Sequence, residues 1–148
     1  MSYLYSFDFF KKFAEMVGII WMNQNRLIEM QRTILRLKIE KFILFNLWID
    51  YFPEVSGDVY IYGAGMLGKL LLRCFQNKPT AFIDTKEGLK DINGVQTLCV
   101  DRISSAQFNC GDSVIVTPVW DFDEISRKLL NICPYIKIIS LDNILEKI

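Results

Sequence analysis

The chain contains no histidine. The commonest general base near neutral pH is therefore missing. The four cysteines, Cys74, Cys99, Cys110 and Cys133, are widely spaced and form no C-x-x-C pair. Without histidine to complete a set, no zinc site is expected, and the cysteines read as four buried thiols in a reducing cytoplasm. Charge of one sign is not in excess either, since Lys+Arg and Asp+Glu both number 17. That removes the global field that draws a protein to nucleic acid or to anionic lipid, and a small ligand fits better. Long hydrophobic runs are missing. The greasiest stretch, from Phe42 to Ile49, is bounded by Lys41 and Asp50 and is far short of the roughly 20 residues a membrane span requires. Residues 1 to 13 carry Asp8, Lys11 and Lys12 among aromatics, which is not the basic-then-apolar layout of a signal peptide. A cytoplasmic protein with no membrane span is expected. No Tyr-x-x-x-Lys pair and no G-x-S-x-G elbow occurs, so the catalytic residues, if there are any, are unknown from the sequence.

What is present points to a folded α/β chain. Hydrophobic residues make up 51%, charged residues 23% and aromatic residues 14% of 148 positions, which excludes a disordered or low-complexity chain. Two parts differ in pattern, with a joint near residues 51 to 57, where Pro53, Ser56 and Gly57 interrupt any helix. Residues 1–57 read as an N-terminal helical arm that serves assembly, and residues 58–148 as a nucleotide-binding domain. In the arm, residues 24 to 48 read as one long helix, because Leu27, Met30, Ile34, Leu37, Leu44 and Trp48 recur at three- and four-residue steps with Lys41 as the single break. A second stripe of Ile28, Leu35, Ile39, Phe42 and Ile49 lies on a neighbouring face. A shorter helix over residues 7 to 21, joined at residues 22 to 25, is expected to precede it. The α/β core can cover one stripe. The other would be left as an apolar patch larger than soluble monomers usually tolerate, which implies a homo-oligomer through these helices, the alternative being a hairpin in which the shorter helix folds back.

From Asp58 the pattern changes to short β-rich runs alternating with helical ones. Strands are expected at residues 59 to 62, 80 to 83, 97 to 100, 113 to 117 and 136 to 140, and helices at 66 to 76, briefly from 101, at 121 to 132 and from 142. Alternation of this kind implies a Rossmann-like open parallel sheet of four to five strands with the N-terminal helical extension attached.

The candidate binding site is the run Val59-Tyr-Ile-Tyr-Gly63-Ala64-Gly65-Met66-Leu67-Gly68-Lys69. A phosphate needs donors aimed at it without obstruction, and a strand turning into a helix N-terminus supplies free N–H groups and a favourable dipole. Gly63 would permit the tight turn, Gly65 the approach of a pyrophosphate, and Gly68 the close packing of helix on strand. Asp84, at the end of the next strand, stands near the roughly 20-residue offset of a ribose-binding carboxylate. It would accept from ribose hydroxyls and repel a 2′-phosphate. Thr117 and Pro118 end a later core strand, where ligands of open α/β sheets sit at the reversal of strand order. Lys69 and Arg73 could attract phosphate but are expected in solvent, and Tyr62 could stack on a ring but is expected in the core. Asp121, Asp123 and Glu124 read as a helix cap with acids in the first turn rather than as metal ligands.

The strings IYGAGMLGKLL, AFIDT, INGVQTL and SVIVTP resemble the Rossmann-like nucleotide-binding domain of bacterial polysaccharide-biosynthesis proteins. Such modules precede nucleoside-diphosphate-sugar dehydratases and epimerases or stand at the N-terminus of sugar acyltransferases. The resemblance covers about residues 58 to 142. It implies NAD or a nucleotide-sugar as ligand, CoA being a further possibility within the family, and puts Gly63, Gly65, Gly68 and Asp84 on the cofactor side. The leading expectation is thus a nucleotide-binding module accessory to surface-polysaccharide biosynthesis. One alternative is a small transferase or oxidoreductase, including an S-adenosylmethionine-dependent methyltransferase, completed by another subunit. The other is an interaction protein with a ligand-free Rossmann scaffold.

Overall fold

The computed structural model describes the backbone of residues 7 to 147, and the side chains among them except those of residues 7–11, 14 and 19–22. The chain divides into two compact units, Met1–Thr33 and Ile34–Ile148. A single helix, α1 (Phe7–Leu44), contributes to both.

The interruption expected at residues 22 to 25 does not occur. Asn23, Gln24 and Asn25 are only modestly poor helix formers, each costing at most about 0.7 kcal/mol relative to alanine, and neither glycine nor proline stands there to break the ladder. The helical hairpin is thereby excluded. The helix also stops earlier than its apolar period suggests. Asn46 adopts φ 53°, and the paired bonds from Leu47 N–H to the Phe42 carbonyl (3.1 Å) and from Asn46 N–H to the Ile43 carbonyl (3.1 Å) close a Schellman motif.

In the first unit the described apolar side chains Phe13, Met16, Val17, Leu27 and Met30 are exposed and Ile28 is half-buried. In the second unit α1 separates its two stripes. Leu35, Ile39 and Phe42 join the core, while Ile34, Leu37 and Leu44 remain exposed at 47%, 55% and 77%. Ile49 and Val55, in the segment after the helix, join the same core cluster. Residues 34 to 57 are therefore packed with the sheet, and the chain divides at 33/34 rather than at the glycine and proline near 57.

The sheet has five parallel strands in the order β3-β2-β1-β4-β5. They are β1 (Val59–Tyr62), β2 (Ala81–Asp84), β3 (Gln96–Cys99), β4 (Ser113–Val116) and β5 (Lys137–Ser140). The fold is α/β, as the alternation of elements implied. Side chains alternate across it, as a period of two requires. Ile61, Phe82 and Ile115 face a core shared with α1, α2 (Met66–Leu72) and α4 (Leu141–Leu145). Tyr60, Tyr62, Ile83, Val114 and Val116 face a second core closed by Ile125 and Leu129 of α3 (Phe122–Ile132). The connection from β2 to β3 contains no helix; it is a loop whose tip is pinned by the Ile92–Val95 bridge.

Two of the thiols are not buried as expected. Cys74 and Cys133 are buried, Cys99 is half-buried and Cys110 is exposed. Burial pushes the Cys74 thiol from its ordinary 9.0 up to about 12, because a thiolate there would lose its hydration. The unfolded chain then releases this proton first, so stability is retained below about pH 9 and falls as pH rises toward about 12. The slope is about 1.4 kcal/mol per pH unit for one group. Tyr60 and Tyr62, both raised by burial, act in the same direction. Urea midpoints measured across this range should fall steadily for the natural chain and less steeply for Cys74→Ala; equal slopes would remove Cys74 as a cause.

Candidate functional site

The chain builds β1, β2 and β3 outward in one direction and then returns to place β4 on the other side of β1. The order of strands therefore reverses between β1 and β4, and their loops part at the carboxyl ends, where ligands of open α/β sheets sit. The glycine run lies at this place, between β1 and α2.

Its three glycines are held for different reasons. Gly63 has φ +102°, and a Cβ on it would fall 2.4 Å from Thr117 Oγ1. Thr117 itself is buried, with its N–H and its hydroxyl both donating to the Tyr62 carbonyl (3.0 and 2.9 Å). A Cβ on Gly68 would fall 1.9 Å from the Gly63 carbonyl oxygen and 3.4 Å from a ring carbon of Phe82. Gly68 is thus where α2 touches the turn and the sheet. Gly65 differs. It is exposed, its φ of −82° and ψ of −159° suit any residue, and nothing lies within 4 Å of a Cβ placed there. The chain's own packing gives no reason for glycine at 65.

Gly65 is the N-cap of α2, and the first intrahelical N–H to find its acceptor is Lys69 N–H, on the Gly65 carbonyl at 3.0 Å. The earlier N–H groups of the turn have no acceptor inside the helix, as at any helix start. Ala64 is buried, and its N–H is taken by Asp84 Oδ2 at 2.9 Å. Met66 is exposed and Leu67 is buried in the core. Lys69 and Arg73 are exposed.

Asp84 therefore has a task within the fold. Besides Ala64, its Oδ1 accepts from Lys86 N–H at 3.0 Å and from the Thr85 hydroxyl at 3.5 Å. The carboxylate ties the end of β2 to the glycine turn, and Asp84 lines a cleft of about 280 Å³. Gly63, Asp84 and Pro118 line this cleft together with Tyr62, Glu124 and Lys128. Of the residues singled out in the sequence, these three share one space, Gly65 and Met66 are exposed on the turn beside Gly63, and Thr117, Leu67 and Gly68 support the turn from within.

Sequence reasoning missed Lys128 and favoured the core for Tyr62 over stacking on a ligand ring. Tyr62 is 5% exposed yet lines the cleft, and burial raises its hydroxyl above the usual phenol range. Glu124 and Lys128 stand four apart on α3, so they share a helix face, the one spacing signal that was available. Lys128 pairs with Asp101 at 3.0 Å, which raises its ammonium. Asp121 occupies the N-cap of α3 but makes no side-chain cap bond. It lines both this cleft and a neighbouring one of about 460 Å³ beside Trp120, Arg127 and Asp142.

No family model, no curated protein and no solved structure matches this chain.

Proposed function

We propose that residues 58 to 148 bind a nucleotide, NAD or a nucleotide-sugar, with its phosphates at the Gly65 turn and a ribose beside Asp84. The observation that carries this reading is Gly65. Its two companions are held by contacts inside the protein, whereas the space above Gly65 is open and leaves room for a phosphate against the helix start. The switch point of the sheet, the acid at the end of β2 and the adjoining cleft agree with the same ligand class. The resemblance of IYGAGMLGKLL and AFIDT to polysaccharide-biosynthesis domains gives the role: an accessory module of bacterial surface-polysaccharide assembly, working in the cytoplasm and self-associating through α1.

Calorimetric titration of the full chain with NAD, UDP-sugars, S-adenosylmethionine and CoA tests the reading. Saturable binding of NAD or of a UDP-sugar is the expected result. Heat from none of the four would end the nucleotide reading, and binding of S-adenosylmethionine or CoA alone would move the protein to another ligand class. Cofactor choice gives a second check. Asp84, Asp121 and Glu124 line the cleft against a single cation, Lys128, which is already paired. A 2′-phosphate brought to this place meets like charge in a partly dry site. NADP should bind at least tenfold more weakly than NAD, a difference of about 1.4 kcal/mol. Equal or tighter NADP binding would put the ribose elsewhere.

A further inference from the structure

The exposed face of α1 has a stricter period than a surface helix needs. From residue 13 to residue 44 the positions 13, 16, 20, 23, 27, 30, 34, 37, 41 and 44 alternate steps of three and four. They are occupied by Phe, Met, Ile, Asn, Leu, Met, Ile, Leu, Lys and Leu. This is the a/d seam of a heptad repeat held for more than four heptads, with Asn23 and Lys41 as its only polar members. Every described apolar residue of the seam is about half exposed or more: Phe13, Met16, Leu27, Met30, Ile34, Leu37 and Leu44. The residues α1 gives to the core, Leu35, Ile39 and Phe42, occupy b and f positions of the same heptads, away from the seam. The helix therefore gives one face to its own fold and keeps the heptad seam on another.

We propose that this partner is α1 of a second copy, joined as a parallel, in-register, two-stranded coiled coil. The inference rests on the self-association proposed above and adds its geometry. The two polar members of the seam select the orientation. An antiparallel pair overlapping the same ten positions sets Asn23 against Ile34 and Lys41 against Met16. That buries an amide and an ammonium among apolar groups with nothing to bond. In the parallel register Asn23 meets Asn23 of the partner subunit, so each amide finds a donor and an acceptor. Lys41, at an a position, then faces Lys41 of the partner subunit across the same layer, and each ammonium is met by the partner's Glu40 at the flanking g position. Glu40 and Lys41 are exposed and form no ion pair with each other or with other described residues of their own chain; the Lys41 ammonium rests 6.0 Å from the centroid of its own Phe45 ring, an exposed contact it can exchange for the carboxylate. In the heptad of Ile34 and Leu37, isoleucine at a with leucine at d favours two strands over three or four.

A charge exchange on the full chain tests the register. Glu40→Lys and Lys41→Glu each replace two attractive contacts across the dimer by two repulsive ones, and each should weaken self-association about tenfold. Mixed together, the two variants place Lys opposite Glu at every such contact. Native mass spectrometry should then show heterodimer well above the half expected from random mixing. Random mixing by variants whose parent is a dimer would overturn the parallel register and leave self-association standing, whereas a monomeric parent at micromolar concentration in light scattering would remove both. Should either variant misfold by circular dichroism, energy transfer between donors and acceptors attached at the amino termini of unsubstituted chains decides the point. Efficient transfer is expected, and its absence in a dimer would overturn the proposal.

Discussion

Gly68→Ala is expected to unfold the chain or bring it close to unfolding. The new methyl carbon would stand 1.9 Å from the Gly63 carbonyl oxygen, which is backbone, with the Phe82 ring at 3.4 Å on the other side. A flexible side chain could swing away from such a clash, but this carbonyl belongs to a turn that is fastened on three sides. Gly63 N–H bonds the Ile83 carbonyl at 2.8 Å, Ala64 N–H bonds Asp84, and Thr117 closes on Tyr62. To make room, α2 must lift from the sheet and draw Leu67 and Leu71 out of a core in which they are 5% and 0% exposed. Overpacking against a movable neighbour costs about 1–3 kcal/mol, and against fixed backbone roughly 3 kcal/mol or more is expected, a large part of the 5–15 kcal/mol that holds an ordinary domain together. Urea denaturation followed by circular dichroism measures it. A midpoint equal to that of the unsubstituted chain would mean that α2 does not meet the turn at Gly68.

Gly65→Val, three residues earlier, should do the opposite: leave the fold and remove the ligand. Valine accepts the extended conformation already present at 65, and no atom stands within 4 Å of its Cβ. The change in stability should be about 1 kcal/mol, most of it the loss of a favoured N-cap residue. A phosphate that approaches the turn closely has no such freedom, because two methyl groups would occupy its place and push it off the N–H groups of the helix start. Affinity for whichever nucleotide the unsubstituted chain binds should fall at least a hundredfold, about 2.7 kcal/mol. Unchanged affinity in a folded variant would show that the turn is not the site. The two variants together separate the roles of two glycines in one motif, since one should fail in the denaturation assay and the other only in the titration.

The elements of the sheet were readable because their signals are local. The β-rich runs at 59 to 62, 81 to 84 and 113 to 116, the glycines that turn the chain and the acids before α3 each depend on residues within a few positions of one another. The end of α1 was less readable. A helix can stop on an asparagine in the left-handed region as well as on glycine, and Asn46 carries no stronger mark than Asn23 or Asn25, through which the helix continues. Cysteine burial also escaped the sequence, because a general tendency of thiols to be buried does not distinguish Cys110, in a turn, from Cys74, behind α2.

The sequence alone therefore determined the succession of strands and helices after residue 58, the parallel α/β architecture and the three glycines of the turn, because backbone preference and side-chain period act over one or two turns of chain. Only the tertiary structure decided which stripe of α1 is buried. Both have helical period, and the choice rests on contacts with Ile61, Phe82 and Ile115, brought there by strands far away in the chain. It also decided that Asp84 grips Ala64 across 20 residues, that Thr117 closes the turn from β4, and that Tyr62, Glu124 and Lys128 share one cleft. Such neighbours meet through the strand order β3-β2-β1-β4-β5, and strand order is a property of the assembled sheet that no single segment carries.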